Sequence, residues 1–401
     1  MTESCDIAIV GGGVVGSAIA YFLTADPAFE GSVVVIERDP SYQFCATTRS
    51  AGGVRQQYST PENIEIGKFG AAFVKNVAQH LTVDGEAPAL GFVEGGYLFL
   101  ASEEGRAVLE ANHATQRAHG ADVALLDPGQ LHARFPWISA EGVALGSLGL
   151  SNEGWFDPNA LLQGFRRKAR AQGARFVHDH AGGIERSGNR IEAVTLEAGG
   201  RLACGTLVNA AGPAAGWVAA LAGIELPVRP RKRLVYVFDC RTPIEPRAPL
   251  VIDTNGVFFR PESRGFITGV SPEETDDPDL PPYGREDDQR FEVAYAQFEE
   301  IVWPTIAQRV PAFEAIKPSG AWAGHYDYNT FDQNGVVGRH PEVANFVFAN
   351  GFSGHGLQQS PAVGRAVAEL LLHGGYRTID LTRFGWERIP AGRRLLELNV
   401  V

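Results

Sequence analysis

Cys5-Asp6-Ile7-Ala8-Ile9-Val10-Gly11-Gly12-Gly13-Val14-Val15-Gly16 is followed by an Ala/Ile/Tyr/Leu stretch to about Asp26 and then by Val33-Val34-Val35-Ile36-Glu37. A short β-rich run, a glycine turn, a helical stretch and a second buried run make the strand, turn, helix, strand opening of a doubly wound sheet. Gly11 permits the tight turn, Gly13 lets the backbone approach a pyrophosphate, and Gly16 allows close helix packing. The helix that opens with Val14 and Val15 offers its N–H groups and positive dipole end to an anion. Glu37 lies 21 residues beyond Gly16, ending the second strand, where a carboxylate can accept both hydroxyls of an adenosine ribose. Arg38 follows it.

Working outward, residues 38–60 are polar, rich in Thr, Ser, Gly and Arg, and too long for an ordinary connection, which predicts a functional loop. Thr60-Pro61-Glu62 starts a helix with Thr as N-cap. Between 85 and 146 the pattern changes to short strands, Leu90 to Val93 and Tyr97 to Ala101, and a charged helix from Glu103. Asp157-Pro158 caps another helix, and the run Leu207 to Gly212 resumes the first domain. Further β runs at Leu234 to Phe238, Gly256 to Arg260 and Gly265 to Gly269 precede a helix ending near Val310. A last strand, Asn345 to Asn350, runs into Gly351-Phe352-Ser353-Gly354-His355-Gly356 and a helix to about His373. The predicted class is α/β (α+β overall), a Rossmann-like nucleotide domain with an interleaved antiparallel-sheet domain. The first is expected over 1–84, 147–222 and 324–401, the second over 85–146 and 223–323.

Composition narrows the partners. The 401 residues carry 35 basic against 47 acidic side chains, a net charge of −12, so nucleic acid and anionic membrane surfaces are poor candidates. Cys5, Cys45, Cys204 and Cys240 are scattered without a C-x-x-C pair, which argues against zinc or iron–sulfur and fits a reducing compartment. No apolar run reaches the length of a membrane span, and Glu3 and Asp6 stand where a signal peptide would be basic, so a cytoplasmic location is expected. His178-Asp179-His180 alternates near a turn with no further ligand close in sequence, and no metal is expected.

The glycine fingerprint serves FAD and NAD alike. FAD is favoured by two distant strand ends with small residues, Ala210-Ala211-Gly212 and Gly351 to Gly356, both suited to close backbone approach. With Thr47-Thr48-Arg49-Ser50, Val208 to Gly212, Pro361 and Gly364, these motifs make the chain resemble the D-amino-acid oxidase superfamily of FAD-dependent amine oxidoreductases over essentially its whole length. The runs Ala51-Gly52-Gly53-Val54-Arg55-Gln56-Gln57 and Asp327 to Gly335 look most like a branch linked to assembly of mitochondrial complex I. Gly53 to Gln57 is also similar to the β-subunits of dye-linked proline and sarcosine dehydrogenases.

The resemblance implies oxidation of a C–N bond next to a carboxylate, with hydride passing to flavin N5 and the resulting imine hydrolysing. It leaves open a flavoprotein with an assembly or partner-binding role, and a 2-hydroxy-acid dehydrogenase on the same fold. The implied partners are a small amine or amino acid and, if oxygen is not used, a separate electron acceptor. The FAD-binding residues implied are Gly11, Gly13, Val14, Val15, Gly16, Glu37, Arg38, Thr47, Thr48, Arg49, Ser50, Gly52, Gly53, Ala210, Ala211 and Gly212. The last segment adds Gly351, Ser353, Gly354, His355, Gly356, Leu357 and Gln358, whose turn is suited to stabilising charge that develops at the flavin.

Arg55 is the first choice for a substrate carboxylate, which a guanidinium can bind in bidentate fashion. His355, Tyr326, His325 and Tyr236 complete the catalytic candidates. Sarcosine oxidase tethers its flavin through a Cys where this chain has Gly324, so FAD is expected to be noncovalent. The same comparison places Ile267 where sarcosine oxidase has an oxygen-activating Lys, which favours a dehydrogenase. The basic run Arg229 to Arg233 is expected to line the entrance and attract an anionic substrate.

Overall fold

The computed structural model describes residues 3–281 and 291–398. Its first sheet runs Val336–Arg339, Phe346–Asn350, Arg201–Asn209, Glu3–Val10, Val33–Glu37, Arg175–His178, with Ala181–Ser187 and Arg190–Leu196 attached beside Arg201–Asn209. Neighbours are parallel from Phe346–Asn350 through Arg175–His178. Val33 to Ile36 are buried, the continuous apolar run that a parallel strand covered on both faces requires.

The helices Val14–Ala25 and Gly356–His373 each follow a parallel strand, so both start at the same carboxyl edge of this sheet. Ligands bind along that edge in open α/β sheets. The two helices also cross closely: a Cβ on Gly364 would lie 2.8 Å from Ala18.

The second sheet runs Ile316–Asn329, Val228–Cys240, Gly265–Gly269, Phe258–Glu262, Leu250–Ile252, Tyr97–Ala101, Leu145–Gly149, Val123–Leu126. Its pairs are antiparallel apart from Leu250–Ile252 with Tyr97–Ala101, which is parallel. Leu145–Gly149 straddles the boundary expected at 147, and Ile316–Asn329 runs across the one expected at 324. The cleft lies between the second sheet and the carboxyl edge of the first.

Several local expectations change. Leu90 to Val93 is no strand; only Val93 bridges to Trp155. The helix expected from Glu103 starts at Arg106. Thr60 holds the N-cap position of helix Pro61–Lys75 without a side-chain cap bond. Its hydroxyl instead bonds Glu397, whose carboxylate also accepts from the Ser59 backbone N–H at 2.7 Å. The distant carboxylate takes the capping role because it brings the charge favoured at a helix N-terminus. No helix among the described residues is long and apolar enough to cross a membrane.

Candidate functional site

One continuous cleft of about 810 Å³ runs from Glu37 and Arg38 past the glycine turn to His355 and the face of the second sheet. At the turn, Gly11 has φ +103°, and a Cβ there would stand 2.3 Å from the Ala210 carbonyl oxygen. The turn can therefore press against the end of strand Arg201–Asn209 only as glycine. Gly13 starts the helix without a side-chain cap, and the nearest atom to a Cβ placed on it is Cys45 Sγ at 3.4 Å. The Val14 N–H donates to the Thr47 hydroxyl at 3.2 Å, which pins the polar loop to the helix start. Glu37 accepts from the Gly12 N–H at 2.7 Å and the Asp39 N–H at 2.8 Å, so its carboxylate is aimed before any ligand arrives.

At the other end, Gly354 has φ +97°, and a Cβ on it would lie 2.4 Å from the Tyr326 ring. His355 opens the final helix as its N-cap. Its Nε2 lies 2.9 Å from Nη2 of Arg55. A guanidinium only donates, so Nε2 must accept and the proton sits on Nδ1. Burial, and then the Arg55 charge, hold the His355 imidazole well below its usual range and therefore neutral. The Arg55 backbone N–H donates to Gln358 Oε1 at 2.9 Å. Its guanidinium packs over Tyr58 at 4.7 Å and Phe99 at 5.0 Å.

Most of the expected cofactor residues border this cleft. Gly16, Thr48, Gly52, Gly351 and Ser353 do not. Gly16 meets Gly11, since a Cβ would fall 1.9 Å from the Gly11 oxygen. Thr48 donates to the Tyr42 carbonyl. Gly52 packs on the Phe156 carbonyl and Gly351 on Val228. The Ser353 hydroxyl accepts from the Asn329 N–H. These five shape the loops behind the surface.

Tyr236 is corrected: it lies in the core under the second sheet, its hydroxyl donating to the Ala294 carbonyl at 2.6 Å, and it does not border the cleft. Tyr326 borders it between the glycine turn and Arg233, whose guanidinium lies 4.9 Å from the Tyr326 ring. His325 also borders it, stacked on Phe291 at 4.4 Å. Ile267 does not reach the cleft; it sits between Val237 and Arg260. Arg55 brings a positive charge to the same cavity. Of the basic run, Arg233 reaches the cleft, but Asp277 holds it bidentate at 2.7 and 2.8 Å. Its charge is spent inside the protein.

The sequence reading missed the place of three groups in the site. His178 and His180 border the Glu37 end, where His180 stacks on Trp217 with ring centroids 5.0 Å apart and bonds Glu197 at 2.7 Å. Asp327 borders the His355 end, accepts from the Phe352 N–H at 3.0 Å, and is pushed up to about 6 by burial. Glu153, far from every motif, accepts from the Gln56 and Gln57 N–H groups at 2.7 and 3.1 Å and from the Gln57 amide at 2.8 Å. It thereby anchors the loop that carries Arg55. No local pattern signals a carboxylate that works by reaching across the fold.

Burial raises the Glu153 pKa from 4.5 to about 7. The folded chain then keeps a proton that the unfolded chain has lost, so stability falls as pH rises through that window. Glu153 contributes a fall of roughly 3 kcal/mol. Glu153→Gln removes this part of the slope, as urea unfolding of both proteins at about pH 5 and pH 7.5 will show; equal slopes would refute the assignment.

The cleft fits FAD: two uncapped helix starts face it, a carboxylate waits at its far end, and Gly11 and Gly354 let the turns at its two ends pack where a Cβ would clash. Residues 6–370 match the family described as "DAO: FAD dependent oxidoreductase". The chain belongs to this family. The DAO-family protein is 47% identical to FAD-dependent oxidoreductase domain-containing protein 1 of Xenopus laevis, over 100% of this chain and 85% of that one. It is 26% identical to glycine oxidase of Geobacillus kaustophilus, over 92% and 94%. Its fold superposes on the crystal structure of L-proline dehydrogenase from P. horikoshii with a TM-score of 0.84 and 26% identity, covering 98% of this chain and 100% of the other.

Proposed function

We infer that this FAD-dependent oxidoreductase oxidises the C–N bond of an amino acid or secondary amine. The observation that carries the reading is the meeting of Arg55, His355 and Tyr326 at the ring end of the cleft. A relative named glycine oxidase and a structural neighbour named L-proline dehydrogenase support the substrate class. FAD, when bound, accepts the hydride from the carbon bearing nitrogen.

The chain's own residues do the rest. Arg55 offers a fixed positive charge to the substrate carboxylate. His355 stays neutral and presents its Nδ1–H at the start of the last helix, a donor that needs no reorganisation. Tyr97, Tyr326 and Phe258 border the cavity and exclude water from it. The amine enters as the free base, and water hydrolyses the imine after release.

FAD is held without a tether on this reading. Gly324 borders the cleft and offers no thiol, and Cys45 lies beside Gly13, its thiol raised by burial. Acid precipitation is expected to leave the yellow flavin in the supernatant; flavin that stays with the pellet would refute this.

The functional test is an anaerobic titration with amines, amino acids and 2-hydroxy acids, followed by admission of air. Bleaching by the first two classes supports the reading, and the rate of recolouring in air tells oxygen from a separate acceptor. Bleaching by 2-hydroxy acids alone replaces the substrate class. Bound flavin that no compound bleaches, with partners that copurify, replaces the enzyme by a partner-binding flavoprotein.

A further inference from the structure

The parallel pairing of Leu250–Ile252 with Tyr97–Ala101 places Leu250 beside Tyr97 and Ile252 beside Phe99. The antiparallel pairing on the other side places Phe258 beside Ile252. Phe258 in turn faces Gly269, where a Cβ would lie 3.0 Å from its ring. Leu250, Ile252 and Phe258 therefore form one apolar row across two neighbouring strands, and all three border the cleft. The row begins at the carboxylate-binding candidate, because the Arg55 guanidinium lies 5.0 Å from the Phe99 ring and 5.8 Å from the Tyr97 ring. Val235 and Val270 extend the apolar lining.

Charge is arranged to match. Arg233 is engaged bidentate by Asp277. Arg49 donates to the Ala323 and Gln43 carbonyls at 3.0 Å each. Arg55 brings its positive charge beside Tyr97 and Phe99, and the adjoining row is apolar.

We propose that the row Leu250, Ile252, Phe258 receives an apolar substituent of the substrate. The preferred substrate is then a monocarboxylate amine with a branched, extended or cyclic aliphatic group, in preference to a glycine-sized or dicarboxylic one. This rests on the amine-oxidising reading above, with Arg55 at the carboxylate. The apolar group gains by leaving water, whereas a second carboxylate placed among Leu250, Ile252 and Phe258 would lose its hydration.

The test uses unreactive carboxylates on the FAD-loaded protein, read as perturbation of the flavin's visible band. From acetate through butanoate to hexanoate, affinity is expected to rise about threefold to fourfold per methylene. Glutarate is expected to bind at least about tenfold more weakly than pentanoate, because its second charge meets the apolar row. Ile252→Thr, still β-branched but one methyl shorter and polar, is expected to flatten the ladder. A flat ladder in the unmodified protein, tighter binding of glutarate, or no perturbation by any carboxylate overturns the proposal. The outcome that sinks the amine reading is different: a steep ladder on a flavin that no amine or amino acid bleaches.

Discussion

Gly11→Ala yields a folded protein that emerges colourless and takes up added FAD at least about 100-fold more weakly, a loss of roughly 2.7 kcal/mol. The methyl would fall 2.3 Å from the Ala210 carbonyl oxygen and 2.7 Å from its carbon, both backbone atoms immediately after the end of a central strand. The backbone at φ +103° is also one that an L side chain rarely adopts. The turn must open to admit the methyl, which moves the start of helix Val14–Ala25 away from strand Arg201–Asn209. That relocates the first helical N–H groups, and an anion site built from backbone donors has no side chain that can compensate. The visible-to-ultraviolet absorbance ratio after purification and a calorimetric FAD titration measure the effect, with circular dichroism to establish folding. Full retention of flavin would show that the cofactor lies elsewhere.

Arg55→Leu keeps FAD but lowers the rate of flavin reduction by about 100- to 1,000-fold, the range seen when one preorganised electrostatic donor is removed. Two losses combine. The substrate carboxylate loses its cation, and His355 loses the donor that fixes its proton on Nδ1. Removing a buried positive charge also disfavours the reduced, more negative state, so the flavin midpoint potential falls by about 30 to 60 mV, or ~1.4–2.8 kcal/mol for two electrons. His355 gains a different titration as well. In the native protein its pKa is depressed by burial and by Arg55; without Arg55 the second cause vanishes and the value rises toward the ordinary one. Arg55→Lys restores charge without the planar fork and recovers the potential better than the rate. Unchanged potential and rate in Arg55→Leu would leave Arg55 a packing residue among Tyr58, Tyr97 and Phe99.

The adenine end and the ring end of the site differ in how far local sequence reveals them. The residues from Cys5 to Glu37 settled the opening strand, turn, helix and strand, because backbone geometry and burial period are local properties. Gly11, Gly13, Glu37 and Gly354 could be read the same way, since positive φ and close approach are demands on one residue and its neighbours. Tyr236 could not. Its apolar pattern is the same whether it faces the cleft or the core, and strand pairing with Thr268 settles the face. Arg55 showed its chemistry in the sequence, but its partner His355 lies 300 residues away.

Sequence by itself determined the opening strand, turn, helix and strand, with the dinucleotide cradle they form. Only the tertiary structure decided which charges remain available to a ligand. Arg233 is engaged by Asp277, the Thr60 hydroxyl bonds Glu397, and Glu153 is committed to the loop of Arg55. A hydrogen bond between residues far apart in the chain leaves no periodic trace, and whether a buried charge is compensated depends on what the fold brings within about 3 Å of it.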